Sequence, residues 1–191
     1  MTLTPGHRRP RYPTSILMPN PLGHRQRRVA TIVAVCLAAV VLAANARAIE
    51  IGTPAPAFAL PAADGHVVAL DGLRGRVVYV DFWASWCGPC RRSFPWMNAL
   101  QQRFGGRGLA VVAINVDKRR PDADRFLQQY PATFTVLFDP AGETPTAYAV
   151  PGMPTSYLLD ARGHVVQIEQ GFLDDRRAEL EARIESLLGA R

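Results

Sequence analysis

The sequence predicts an α/β protein in which a central mixed sheet is flanked by helices. Three observations carry this. Two continuous apolar runs, "RVVYVDFWA" and "LAVVAINVD", read as strands buried on both faces. Segments with helical spacing of apolar residues alternate with them. The chain then closes with two more extended segments around a glycine turn and a final helix, which adds antiparallel strands to a parallel centre.

Each element can be justified in order. In "AFALPAADGHVVAL" two short apolar stretches flank Asp64-Gly65, a hairpin signal, so an N-terminal β-hairpin precedes the main sheet. The strand "RVVYVDFWA" runs into a helix beginning near Cys90, where Phe94, Met97, Leu100 and Phe104 line one face and Gly105-Gly106 end it. After the second buried strand, Pro121 opens "PDADRFLQQY", a helix with proline in its first turn. "FTVLFDP" is a third strand and "ETPTAYAV" a short helical piece. "TSYLLD" and "HVVQIEQ" flank Ala161-Arg162-Gly163 as an antiparallel hairpin. "DDRRAELEARIESLL" is the closing amphipathic helix, with acidic residues in its first turn.

Charge divides the chain. Residues 1–48 hold seven arginines and no acidic residue, whereas residues 49–191 hold 15 Lys+Arg against 16 Asp+Glu. The near-neutral body argues against nucleic-acid binding, which needs a basic stripe on the folded part. In the leader, Arg25, Arg27 and Arg28 precede the uncharged run from Val29 to Ala44, and "NARA" follows with small residues at Ala46 and Ala48. This is the layout of a secretory signal. The run is shorter than the roughly 20 residues that comfortably span a bilayer, so cleavage after Ala48 is expected, with a retained N-terminal membrane anchor as the alternative. Met18 offers a second start that would leave a signal of ordinary length. The domain division is therefore 1–48, signal peptide or anchor, and 49–191, one domain. The expected location is the periplasm.

Cys36 lies within the apolar run and leaves with it, so the mature body has Cys87 and Cys90 alone, separated by Gly88-Pro89. A disulfide closing so short a loop stabilises little. A zinc site needs four ligands, and the body histidines, His66 and His164, sit in predicted hairpins. No metal site is expected; Cu(I), which suits thiolates, is the better of the metal readings. A redox dithiol fits the local physics. Cys87 stands at a strand-to-helix junction, where unpaired N–H groups and the helix dipole favour a thiolate. That lowers a thiol pKa from about 8.5 toward roughly 7 or below. Only the thiolate attacks a disulfide, and a second thiol one turn on can resolve the mixed disulfide. Pro89 pre-sets the turn, and Gly88 is expected to leave the Cys87 sulfur open to an incoming chain.

"VDFWASWCGPC", with Pro95 five residues beyond, resembles thioredoxin. Together with the preceding "IGTPAPAFALPAADG" and the later "AYAVPGMPTSYLLDARGHVV", nearly all of 49–191 resembles the TlpA/ResA-like thiol-disulfide oxidoreductases of bacteria. The resemblance implies a thioredoxin fold, with Cys87 as attacking thiol and Cys90 as buried resolving thiol. It implies that Pro154 is a cis-proline beside the dithiol, that Met153 offers its backbone to a substrate chain, and that Trp86 is the tryptophan adjoining the first cysteine. It matches Asp81 to thioredoxin's buried aspartate, which exchanges protons with the second cysteine. ResA-like proteins instead tend to carry Asn at that position and a glutamate three residues after the second cysteine, where this chain has Ser93. Thioredoxin has a lysine near the aspartate, where this chain has Ala113.

The implied activity is reduction of protein disulfides, with no cofactor beyond the Cys87–Cys90 disulfide. The family draws electrons from a membrane thiol transporter of the DsbD/CcdA type, and cytochrome c or copper-site assembly proteins are its expected clients. Two alternatives stand beside this. A peroxiredoxin-type thiol peroxidase normally has a threonine three residues before its cysteine, a position held here by Ala84. A Cu(I)-binding assembly chaperone usually recruits a distant histidine.

Overall fold

A computed structural model describes residues 49–190. The leader readings, including the signal, the anchor and Cys36, lie outside the described residues. The main sheet has five strands in the order β5-β4-β3-β6-β7. They are β3 (Val77–Trp83), β4 (Leu109–Asn115), β5 (Thr135–Phe138), β6 (Thr155–Leu159) and β7 (Val165–Gln170). β3 pairs parallel with β4, and β4 parallel with β5; β6 runs antiparallel to both β3 and β7. The sheet is therefore mixed, as expected, with β3 at its centre. Every residue of β3 and β4 is buried, which is why these strands read as unbroken apolar runs rather than as alternation.

The pleat sends alternate residues to opposite faces. Val77, Tyr79 and Trp83 of β3 join Leu109 and Val111 of β4 in one core, which is covered by α1 (Cys90–Phe104), α2 (Arg120–Gln129) and α4 (Arg177–Gly189). Val78, Val80 and Phe82 join Val112 and Ile114 in a second core on the other face. There the cover is the N-terminal hairpin, a 3-10 turn at Leu70–Leu73, and Tyr148 just beyond the short α3 (Glu143–Ala147). The hairpin pairs β1 (Ala59–Pro61) with β2 (Val67–Ala69), and Gly65 in its turn has φ 87°, a conformation glycine adopts without a Cβ clash. Ala62 bridges Leu137 on the edge strand β5, so the hairpin also blunts that edge.

The helix α1 buries the four residues its spacing singles out: Phe94, Met97 and Phe104 are fully buried and Leu100 is nearly so. Phe94 meets Trp83, Phe126 and Phe134 at ring-centroid distances of 4.8, 4.9 and 5.3 Å. Such pairs add roughly 0.5–1.5 kcal/mol each beyond burial. Trp96 donates its indole N–H to Glu181 Oε1 at 2.8 Å, which ties α1 to α4. In α4 the inward residues are Leu180, Ile184 and Leu188, a single stripe at i, i+4, i+8. The acidic pair expected in its first turn, Asp174 and Asp175, belongs to a separate 3-10 turn just before it. No helix among the described residues is long and apolar enough to cross a membrane.

Candidate active site at the carboxyl end of the central strand

β3 ends at Trp83, and the next seven residues carry both cysteines. Cys87 donates its N–H to the Ala84 carbonyl at 3.0 Å, which folds the loop back on the strand. Pro89 caps α1, and Arg91 donates its N–H to the Gly88 carbonyl at 3.2 Å, so the helical turn begins within the Gly-Pro pair. Cys87 and Cys90 are disulfide-bonded, with an S–S distance of 2.06 Å and Cα atoms 5.4 Å apart. The Cys90 N–H points at Cys87 Sγ, at 3.3 Å. The sulfur of Cys87 thus accepts a helix-start N–H, the arrangement that favours negative charge on it once the disulfide opens.

The expected openness of Cys87 is not found. In the disulfide form only 3% of the residue is exposed, and Cys90 is wholly buried. The exposed parts of the loop are Gly88, Pro89 and above all Trp86, at 69%. Cys87 instead belongs to the buried cluster that includes Trp83, Cys90 and Phe94, with half-buried Met153 packed against it. An incoming chain meets Trp86 and the Gly-Pro turn before it meets sulfur.

A second segment arrives at the same end of the sheet. Thr155 of β6 is the register partner of Phe82, which puts the residue before it, Pro154, level with Trp83, the last residue of β3 before the cysteine loop. The Met153–Pro154 bond is cis. Pro154 is buried and Met153 half-buried. Thr155 donates its hydroxyl to the Gly152 carbonyl at 2.7 Å, and Gly171 donates its N–H to the Pro154 carbonyl at 2.8 Å.

Asp81 lies in the middle of β3, 1% exposed. Its Oδ2 is buried and has no hydrogen-bond partner among the described residues. Burial alone pushes this carboxyl well above the usual carboxylate range. Its parallel register partner is Ala113, so no cation offsets the desolvation from β4. Ser93 sends its hydroxyl back to the Cys90 carbonyl at 3.1 Å rather than toward the sulfurs. Asp81 is thus the one buried carboxyl on the strand that leads into the cysteine loop.

A clamp between residues far apart in the sequence lies behind the loop. Asp117, 7% exposed, accepts the Ser85 N–H on Oδ2 at 2.8 Å and the Ser85 hydroxyl on Oδ1 at 2.9 Å. Asn115 donates its side-chain amide to the same Oδ2 at 2.8 Å and accepts the Asp117 N–H at 3.1 Å. The signal was present, since "NVD" places two polar residues at the end of an apolar strand, but its partner, Ser85, is 32 residues away. The two histidines among the described residues have other partners: His66 pairs with Asp64 in the first hairpin, and His164 lies 3.7 Å from Asp160 in the β6–β7 turn. Among the described residues no group of three or more His, Cys, Asp or Glu is arranged to hold a metal ion.

Comparison with known proteins agrees with this geometry. The profile of the Redoxin family matches residues 50–184. Thiol-disulfide oxidoreductase ResA of Geobacillus kaustophilus is 33% identical over 140 residues, covering 73% of this chain and 79% of that protein. ResA of Bacillus subtilis is 32% identical over 132 residues, covering 69% and 74%. A crystal structure of a Chlorobium tepidum protein, provisionally named thiol:disulfide interchange protein DsbE, superposes with a TM-score of 0.72 and 51% identity, covering 74% of this chain and all of that one.

Proposed function

Because the chain belongs to the Redoxin family and is a thiol-disulfide oxidoreductase of the TlpA/ResA-like, thioredoxin-fold kind, we propose that it is an exported, periplasmic reductant of protein disulfides. The observation that carries the order of events is the Cys90 N–H directed at Cys87 Sγ at the start of α1. In the reduced protein that N–H and the helix dipole favour a thiolate on Cys87, while buried Cys90 stays protonated. The Cys87 thiolate attacks one sulfur of a client disulfide; a mixed disulfide forms, and the first client thiolate leaves and takes a proton from water. Cys90 then passes its proton to the Asp81 carboxylate, attacks Cys87 Sγ, and releases the second client thiolate, which is protonated in turn. The enzyme ends oxidised, as Cys87–Cys90, and the client ends as a dithiol. Trp86 and the Met153 backbone hold the client chain across the loop by strand-like addition.

The leader, with its arginines, apolar run and small residues before Ala48, supports export. A reductant in an oxidising compartment needs a continuing electron supply, for which a membrane donor of the DsbD/CcdA type is the fitting partner. Cysteine pairs of apocytochrome c or of a copper-site assembly protein are fitting clients. The Gly-Pro pair lacks a histidine that would over-stabilise the thiolate, which favours reduction over oxidation.

The deciding experiment is a trap. With Cys90→Ser, clients should accumulate as mixed disulfides on Cys87 and be identifiable by mass spectrometry, whereas Cys87→Ser should capture none. Capture by Cys87→Ser instead would reverse the order of attack. A reduction potential as high as that of the strong oxidases would overturn the reductive direction.

A further inference from the structure

A buried carboxyl that takes a proton must also give it up, and Asp81 at 1% exposure has little contact with water, its Oδ2 having none. The sheet register supplies a way out. Asp81 of β3 is the antiparallel partner of Ser156 of β6, and Ser156 is the antiparallel partner of Glu169 of β7. Directly opposed residues point to the same face with Cβ atoms about 4.5–5.5 Å apart. Three polar side chains therefore form one row across three adjacent strands, from the centre of the sheet to its edge. Tyr79, two residues before Asp81, is on the same face and fills the space beside the row. Burial first, then the neighbouring Asp81 carboxyl, push its phenol far above the ordinary value, with Ser156 opposing this and Glu169 adding to it.

The row ends at solvent. Tyr79, Ser156 and Glu169 line a small, partly open cavity of about 20 Å³, room for about one water molecule, together with Gly171, Phe172, Arg176 and Arg177. Glu169 is half-buried there and accepts from Arg176 at 3.0 Å and from the Gln167 amide at 2.7 Å. From α1 the side chain facing the cavity is Trp96, which carries no titrating group. A hydroxyl is both donor and acceptor, so a serine or tyrosine can pass a proton where an aliphatic side chain cannot.

We propose that Ser156, with Tyr79 beside it and Glu169 at the mouth, is the route by which Asp81 exchanges its proton with solvent during turnover. The inference rests on the proton role given to Asp81 under the proposed function. In the step that closes the Cys87–Cys90 disulfide, the proton from Cys90 reaches Asp81, crosses the Ser156 hydroxyl and leaves beside Glu169. In the reduction of the enzyme by its donor it returns the same way. Sulfur chemistry and electron count are unchanged by the route.

The test compares side chains of one shape. Ser156→Val and Ser156→Thr differ in a methyl for a hydroxyl, and single-turnover reduction of a disulfide substrate by each reduced protein is followed by stopped flow in H₂O and D₂O, with Asp81→Asn alongside. The expected result is a resolution step about tenfold slower in Ser156→Val, with a larger solvent isotope effect, near-wild-type behaviour in Ser156→Thr, and an unchanged reduction potential. Glu169→Gln is expected to slow the same step and to be restored by imidazole, which can take up protons at the mouth. If Val and Thr variants behave alike while Asp81→Asn is slow, the route is wrong and the role of Asp81 stands. If Asp81→Asn turns over like the wild type across neutral pH, that role fails and the route with it.

Discussion

Ser85 gives both its N–H and its hydroxyl to the two carboxylate oxygens of Asp117, at 2.8 and 2.9 Å, so the strand that ends in the cysteine loop is clamped to the end of its parallel neighbour. Ser85 stands two residues before Cys87. The clamp therefore fixes where the loop leaves the sheet, at a point where the backbone has left the β-ladder and would otherwise lack a partner.

Asp117→Ala should destabilise the protein by about 1–3 kcal/mol, because it leaves the Ser85 N–H and the Asn115 amide without their acceptor in a buried place. Chemical denaturation measures this. Disulfide exchange should slow as well, since the Cys87 sulfur is positioned by the loop that Ser85 begins. Asp117→Asn keeps one carbonyl acceptor and should lose less.

Asp81 should make stability fall as pH rises. Its carboxyl is raised in the folded state, so between the unfolded value near 3.8 and the higher folded value the native chain holds a proton that the unfolded chain has released. Through that window the native state loses up to about 1.4 kcal/mol per pH unit from this group. Asp81→Asn removes the term. Its denaturation midpoint should rise relative to wild type as pH increases above 4, and a midpoint difference that stays constant with pH would contradict the assignment.

Trp86 should matter for clients and not for the fold. It is 69% exposed, and Trp86→Ala is expected to shift stability by no more than about 0.5 kcal/mol. The same change should weaken client capture, read as a raised KM for a protein disulfide with little change for a small one such as a reagent disulfide.

Phe94→Ala should be among the costliest substitutions in the body, at about 3–5 kcal/mol. Phe94 is fully buried and holds α1 against Trp83, Phe126 and Phe134. Because α1 begins at Cys90, its loosening should also make the Cys87–Cys90 disulfide more accessible, measurable as faster reduction by a small thiol.

Much of this protein is written locally. Continuous apolar strands, the 3.6-residue spacing of Phe94, Met97, Leu100 and Phe104, the Asp64-Gly65 turn and the Cys87-Gly88-Pro89-Cys90 pair each depend on neighbours within about one turn or one strand, so the sequence alone determined the element order, the mixed sheet and the redox pair. What it could not determine is which side chains face one another across strands. The neighbour of Asp81 on β4, Ala113, was legible through the family resemblance; that Asp81 faces Ser156 on the other side, that Ser156 in turn faces Glu169, and that Asp117 reaches back to Ser85 follow from strand order and register. A slip of one residue would turn every one of these side chains to the opposite face. Covering of Cys87 was likewise decided in three dimensions, since the cluster that buries it draws on residues from strands and helices far apart in the sequence. Periodicity reports which residues are buried; only the closed sheet fixes which buried polar groups meet.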